Sequence, residues 1–145
     1  MTIHQLSIFI ENKAGSLVKV LDLFRRFGIQ IIASTIPDTA ENGIYRVICS
    51  EPLRAFEGLK KAGIPVALSD VFALELDDQP GRAADAVEVL SNAGIGLTYM
   101  YSFLLRGKGI LVFRTDNPEK ARETIILSGL NFIAEKDLSL WAGVK

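Results

Sequence analysis

The 145-residue chain is 49% hydrophobic and 23% charged, which is typical of a folded globular protein and excludes intrinsic disorder. Sixteen basic residues against seventeen acidic ones leave a net charge of −1, with no basic block, so we expect no nucleic-acid partner. The N-terminal residues lack signal-peptide features, and no stretch is long and apolar enough to span a membrane. The single cysteine, Cys49, excludes an internal disulfide. We therefore expect a cytoplasmic protein without membrane contact.

The first half of the chain predicts four strands and two helices. Alternation of apolar residues indicates the strands, and apolar residues at helical spacing indicate the helices. The predicted elements are a strand at 5–10, a helix at 17–27, strands at 29–36 and 44–49, a helix at 52–62 and a strand at 64–68. Gly28 and Gly63 follow the two helices as C-terminal caps. The β-α-β-β-α-β order is that of ferredoxin-like domains.

The second half repeats the first without an insertion. Residues 66 positions apart match at four glycines: Gly15 with Gly81, Gly28 with Gly94, Gly43 with Gly109, and Gly63 with Gly129. The repeat predicts a strand at 71–76, a helix at 82–93, strands at 95–103 and 110–115, a helix from Pro118 to Gly129 capped by Asn117, and a strand at 131–135. We therefore expect two domains, residues 1–70 and 71–145. The apolar residues of the C-terminal extension, Leu138, Leu140 and Trp141, predict that it packs against the rest of the chain.

Each copy has a short loop between its first strand and its first helix. The loops are residues 11–17 and 77–83, and each contains an acidic residue, a small turn and a glycine. N–H groups at a helix N-terminus have no intrahelical partner, so they bind carboxylates or phosphates well. The alternative interpretation is that each glycine only permits a tight turn between strand and helix.

These features resemble tandem ACT domains over residues 3–136. The resemblance lies in the two βαββαβ copies with their acidic-turn-glycine loops, in Gly-Ile at 28–29 and 94–95, and in segments 5–9, 11–15 and 94–103. It implies an α+β fold of two ferredoxin-like units with antiparallel sheets and helices on one face. It further implies a regulatory module that binds a free amino acid where ACT units meet.

The resemblance also implies the site residues. They come from the first loop (Asn12, Lys13, Ala14, Gly15, Ser16, Leu17), the second loop (Asp78, Gln79, Pro80, Gly81, Arg82, Ala83) and two facing strands (Ser34, Thr35; Tyr99, Met100, Tyr101). Helix N-terminal N–H groups, with Lys13 or Arg82 nearby, would take the ligand carboxylate, and Asn12 or Asp78 would take its ammonium group. We expect the two loops to differ in affinity or ligand because their residues differ.

The sequence leaves one other function open and speaks against a third. The chain would also serve as a regulatory subunit that docks on a separate amino-acid biosynthetic enzyme. Catalysis is not expected, because the chain has one histidine, His4, and no metal-ligand spacing or nucleophile motif. The adjacent acids Asp77 and Asp78 are expected on opposite faces, as solvated strand-end residues. We expect no catalytic residue, no metal ion and no cofactor.

Strands two and three carry apolar residues on both faces, at Ile31 and Ile32 and between Ile44 and Ile48. Helices in a βαββαβ unit cover one face only. The other face needs a cover, and we expect a second subunit, and hence a homodimer, to supply it.

Overall fold

The computed structural model describes residues 2–11, 14–37, 42–77 and 79–143, and only the backbone of Asn42. The chain forms two compact units, built mainly from His4–Ser69 and from Asp70–Ala142. These are called the first and the second unit below. The described residues form five α-helices and seven strands.

The first unit has the β-α-β-β-α-β order that the sequence predicts. Its elements are β1 (Ile3–Glu11), α1 (Ala14–Phe27), β2 (Ile31–Thr35), β3 (Asn42–Cys49), α2 (Pro52–Lys61) and the first part of β4 (Val66–Leu76). The strand order is β2-β3-β1-β4, and β3 runs antiparallel to both β1 and β2. The sequence predicts separate strands at 64–68 and 71–76, but β4 is one strand that belongs to the first unit up to Ser69 and to the second from Asp70.

The second unit repeats this order and adds one helix. After β4 come α3 (Arg82–Asn92), β5 (Leu97–Leu105), β6 (Lys108–Thr115), α4 (Pro118–Ser128), β7 (Asn131–Phe132) and α5 (Glu135–Trp141). The strand order is β4-β6-β5, and β7 pairs with β4. As predicted, the Asn117 side chain caps α4 and accepts a hydrogen bond from Lys120 N at 3.2 Å.

Each unit has its own apolar core between its sheet and its two repeat helices. The first core contains Leu6, Ile8, Ile10, Val20, Leu23, Phe24, Ile29, Tyr45, Val47, Cys49, Ala55 and Leu59. The second contains Phe72, Leu74, Leu76, Ala86, Leu90, Ile95, Leu111, Phe113, Ala121 and Ile125. The stacked rings of Phe72 and Phe113, with centroids 5.3 Å apart, join neighbouring strands in the second core. The predicted α+β fold is confirmed in both units.

The C-terminal extension forms a helix that the repeat does not contain. The predicted strand at 131–135 is only two residues long, and α5 follows it. Within α5, Leu138 is 1% exposed, yet it lies outside the core that α3 and α4 cover. Trp141 stacks on Lys108 Nζ, which binds Glu75 Oε1 at 2.6 Å. Glu75 alternates along β4 with the core residues Leu74 and Leu76, so the end of α5 lies on the sheet face away from α3 and α4.

The position of α5 bears on the prediction of a homodimer. The sequence predicts that the helix-free sheet face needs a second subunit as its cover. In the second unit α5 supplies cover on this face, where Ala73, Ile110 and Val112 are buried.

Along the described parts of the chain, none of the helices combines the length and the hydropathy that a bilayer crossing requires.

Candidate ligand-binding site

Asp77 organises the loop that leads from β4 into α3. Its Oδ1 accepts a hydrogen bond from Gln79 N at 3.1 Å and another from Arg82 Nε at 2.8 Å. The first of these bonds turns the backbone two residues after the aspartate, as Asx turns do. Gly81 then takes up a left-handed conformation with φ of 89° at the N-cap of α3. The loop therefore holds Asp77 and Arg82 side by side at the mouth of the helix.

Arg82 contacts two carboxylates. Besides Asp77, its Nη1 donates to Asp85 Oδ2 at 3.1 Å. The hydrogen bond from Gln79 N and the guanidinium of Arg82 lower the pKa of Asp77, so this carboxyl stays ionised well below neutral pH. The same contacts raise the pKa of Arg82. The Arg82 and Asp77 side chains are 45% and 58% exposed, and exposed ion pairs contribute little to stability. The contribution of this ion pair to the stability of the fold is therefore small. Its main effect is to place two opposite charges side by side at the N-terminus of α3.

A cleft of about 360 Å³ opens beside this pair. It is lined by Leu76, Asp77, Gln79, Gly81, Arg82, Ala83, Ser102, Phe103, Leu104, Gly109 and Ile110. No side chain in the described part of the chain caps the N-terminus of α3, and its first N–H groups lack an intrahelical partner. The cleft thus combines an acceptor (Asp77), a cation (Arg82) and free backbone donors. Among the residues that the structure describes, no three His, Cys, Asp or Glu side chains are grouped to hold a metal ion.

The second loop and its predicted facing strand come together only in part. Gln79, Gly81, Arg82 and Ala83 line the cleft, whereas Pro80 is exposed outside it. From β5 the cleft receives Ser102–Leu104, and not the predicted Tyr99, Met100 and Tyr101. Tyr101 pairs with Val112 and so shares the face away from α3. Asp78 lies outside the described residues.

The first loop is built differently. Helix α1 begins at Ala14, so Ala14, Gly15, Ser16 and Leu17 all lie in its first turn. Asn12 and Lys13 lie outside the described residues. On β2, the exposed Ser34 accepts a hydrogen bond from Tyr45 Oη at 2.9 Å, and Thr35 is half-buried. In the first unit the described residues bring neither strand residue to a cleft with the loop.

The sequence analysis missed seven residues that line the cleft: Leu76, Asp77, Ser102, Phe103, Leu104, Gly109 and Ile110. Asp77 carried a signal, because it matches Glu11 in the repeat. Gly109 carried one as well, because it matches Gly43. Ser102–Leu104 carried none, because the part of β5 that lies beside the loop depends on the strand register.

A second kind of cleft occurs in both units. One, of about 300 Å³, is lined by Phe9, Ile10, Glu11, Ser16, Lys19, Val20, Gly63, Ile64 and Pro65. The other, of about 470 Å³, is lined by Glu75, Leu76, Asp77, Arg82, Asp85, Gly107, Lys108, Gly129, Leu130 and Asn131. Eight residues of the first lie 66 positions before residues of the second. The cleft is thus a consequence of the repeated backbone, and its chemistry has diverged, since Lys19 corresponds to Asp85.

The fold and the loop define the class of protein. Two βαββαβ units of ferredoxin-like topology, each with a loop ahead of its first helix, form a tandem pair of domains. The family model of the ACT domain pair matches residues 1–142. The chain belongs to this family, as its resemblance to tandem ACT domains predicted.

Solved structures agree with this fold. A Bacteroides thetaiotaomicron protein of known crystal structure is 34% identical, with a TM-score of 0.90 over 96% of each chain. The regulatory subunit of aspartate kinase from Thermus thermophilus, in a ligand-free form, is 12% identical, with a TM-score of 0.61 over 86% of this chain and 91% of that one. The corresponding Thermus flavus subunit is 14% identical, with a TM-score of 0.57 over 87% and 92%. No curated protein sequence matches the chain.

Proposed function

We propose that the chain is a non-catalytic regulatory protein of the cytoplasm that binds a free amino acid. Its two repeats, residues 1–70 and 71–145, act as two domains, and the ligand binds where ACT units meet. The cleft beside α3 is the site in the second unit. The observation that carries the proposal is the Asp77–Arg82 pair, with Nε and Oδ1 2.8 Å apart, at an uncapped helix N-terminus.

This arrangement complements a zwitterion. An amino acid presents a carboxylate and an ammonium group on one carbon, so it needs a donor set and an acceptor close together. The N–H groups of α3 and the donors that remain on Arg82 serve the carboxylate. Asp77, an ionised carboxylate whose pKa is lowered by the hydrogen bond from Gln79 N and by Arg82, serves the ammonium group. At about 360 Å³, the cleft is at the small end of the roughly 300–1,000 Å³ range of ligand pockets, which fits an amino acid better than a nucleotide.

A thermal-shift screen of the twenty amino acids tests the proposal. A ligand at a hundred times its Kd adds about 2.7 kcal/mol to the free energy of unfolding, which raises Tm by several degrees in a protein of this size. D-enantiomers are the matched control, because they carry the same groups in the wrong geometry. A Tm that no amino acid moves at millimolar concentration contradicts the proposal.

The alternative function is a regulatory subunit that docks on a separate amino-acid metabolic enzyme. The observation in its favour is the pair of exposed apolar side chains on α4, Ile126 and Leu127. Such side chains on a helix surface are typical of a contact with another protein. Retrieval of one amino-acid biosynthetic enzyme by the wild-type chain, but not by Leu127→Asp, together with a flat thermal-shift screen, favours docking over ligand binding.

We also propose that the chain forms a homodimer. Strand β5 is the last strand in the order β4-β6-β5, and its nine residues contain no charge and no proline. Natural proteins protect such edges with charges, prolines or a partner. In the first unit, Phe9, on the sheet face away from α1, is 48% exposed. A second copy of the chain covers both the β5 edge and Phe9.

Light scattering should therefore give twice the 15.9 kDa mass of the chain. The variant Met100→Lys puts a charge into the β5 edge, so we expect it to shift the protein toward the monomer. Leu53→Lys, at an exposed position of α2, is the control that should leave the mass unchanged. A wild-type mass of 15.9 kDa at micromolar concentration would rule out the dimer.

A further inference from the structure

Gly109 is a glycine that neither the backbone nor the packing requires. It is the second residue of β6, and it pairs with Leu76 of β4 on one side and with Leu104 of β5 on the other. Its φ is outside the left-handed region. A Cβ built there would have its nearest neighbours, Leu76 and Asp77, at 3.5 Å or more, which is ordinary van der Waals contact. A Cβ fits at this position, so close packing does not by itself require a glycine here.

The missing side chain leaves space in the cleft. Alternation along β6 puts Gly109 on the same face as Leu111 and Phe113, which belong to the core under α3 and α4. Gly109, Leu76 and Leu104 therefore form a row across three strands, under the first turn of α3. All three line the cleft beside the Asp77–Arg82 pair.

We propose that Gly109 keeps open the part of the cleft that receives the ligand's side chain, and that the ligand is an amino acid with an uncharged, apolar side chain of valine to methionine size. The inference rests on the proposed function and specifies the ligand of that same site. Asp77, Arg82 and the N-terminus of α3 hold the common carboxylate and ammonium groups. The row of Leu76, Gly109 and Leu104 then contacts the ligand's side chain and determines which side chains bind.

The chemistry of the row favours an apolar ligand. Next to the glycine backbone, the cleft is lined by the apolar residues Leu76, Leu104 and Ala83. Leu104 is 76% exposed although it is a large apolar residue, and an apolar ligand would cover it. A charged ligand side chain would instead lose water over this row, and burial of an unpaired charge is strongly unfavourable.

Gly109→Val and Gly109→Ala test the inference by filling the space in two steps. Calorimetry with glycine, alanine, valine, leucine and methionine measures the selectivity of each variant. We expect the wild type to prefer the larger apolar ligands. Gly109→Val should weaken leucine and methionine binding by about tenfold or more, which is about 1.4 kcal/mol, with alanine binding little changed. Gly109→Ala should show a smaller effect in the same direction.

Both variants should fold, because valine and alanine fit this φ and valine favours strands over glycine. Thr98→Val, an exposed β5 position that does not line the cleft, is the matched control and should bind as the wild type does. Unchanged selectivity in the folded Gly109→Val variant would overturn the inference and leave the proposed function standing. A wild type that prefers charged amino acids would also overturn it. A wild type that binds no amino acid would overturn both.

Discussion

Leu138→Ala should lower the free energy of unfolding by about 2–5 kcal/mol, the usual cost of truncating a buried leucine. Leu138 is 1% exposed in α5, a helix of seven residues. A helix that short is not stable by itself in water, so packing must hold it in place. Removal of its one fully buried side chain should detach α5 and uncover the sheet face beneath it.

Leu140→Ala is the matched control in the same helix. Leu140 is 62% exposed, and surface substitutions usually change stability by less than about 0.5 kcal/mol. Urea unfolding of both variants measures the difference. Equal stability of the two variants would show that α5 is an appendage and that the sheet face depends on another cover. A large loss confined to Leu138→Ala would show that α5 is part of the second unit's core structure.

The repeat explains why most of the fold was predictable. Residues 66 positions apart carry the same helix ends: Gly28 and Gly94 both have positive φ, and the residue after each donates to a carbonyl five residues earlier. Only glycine adopts this conformation without strain, so the sequence marks the helix ends directly. Helix α5 has no repeat counterpart and no side-chain cap, so the sequence indicated only that the C-terminal extension packs.

The candidate site was less predictable because it depends on register. The pairing of β5 with β6 shifts between Leu97 and Tyr99, which changes the face on which each later residue of β5 lies. A shift of one residue exchanges the two faces of a strand. For this reason Tyr99 and Tyr101 lie on the face away from α3, whereas Met100, Ser102 and Leu104 lie on the opposite face. Met100 is still absent from the cleft, because the cleft lies beside the later residues of β5, Ser102–Leu104. No pattern in a single sequence predicts the position of such an irregularity.

The partners of Arg82 were also unpredictable. The sequence predicts Arg82 as a free cation for a ligand carboxylate, but the structure engages it with Asp77 and Asp85. Asp85 is three residues along α3, where helix geometry brings the two side chains together. The contact with Asp77 needs the loop conformation that Gly81 permits. A ligand carboxylate must therefore share Arg82 with two protein carboxylates.

The two loop glycines, which are equivalent in the repeat, should respond oppositely to substitution by alanine. Gly81 has φ of 89° and precedes α3, whereas Gly15 lies inside the first turn of α1 and has no positive φ. A built Cβ meets nothing within 4 Å at either position, so packing does not distinguish them. Left-handed backbone costs a non-glycine residue roughly 1–2 kcal/mol. Alanine in a helix instead gains up to about 0.5–1 kcal/mol over glycine.

Gly81→Ala should therefore lose stability, and Gly15→Ala should keep or gain it, in a comparison by urea unfolding. Gly81→Asn is the control for the backbone explanation, because asparagine tolerates the left-handed region and should lose less than alanine. Gly81→Ala should also disturb the placement of Asp77 against Arg82 in the loop and so weaken amino-acid binding. Gly15→Ala should leave binding in the second unit unchanged. Equal losses at the two glycines, or an asparagine variant as unstable as the alanine variant, would show that the conformation of Gly81 does not set the geometry of the site.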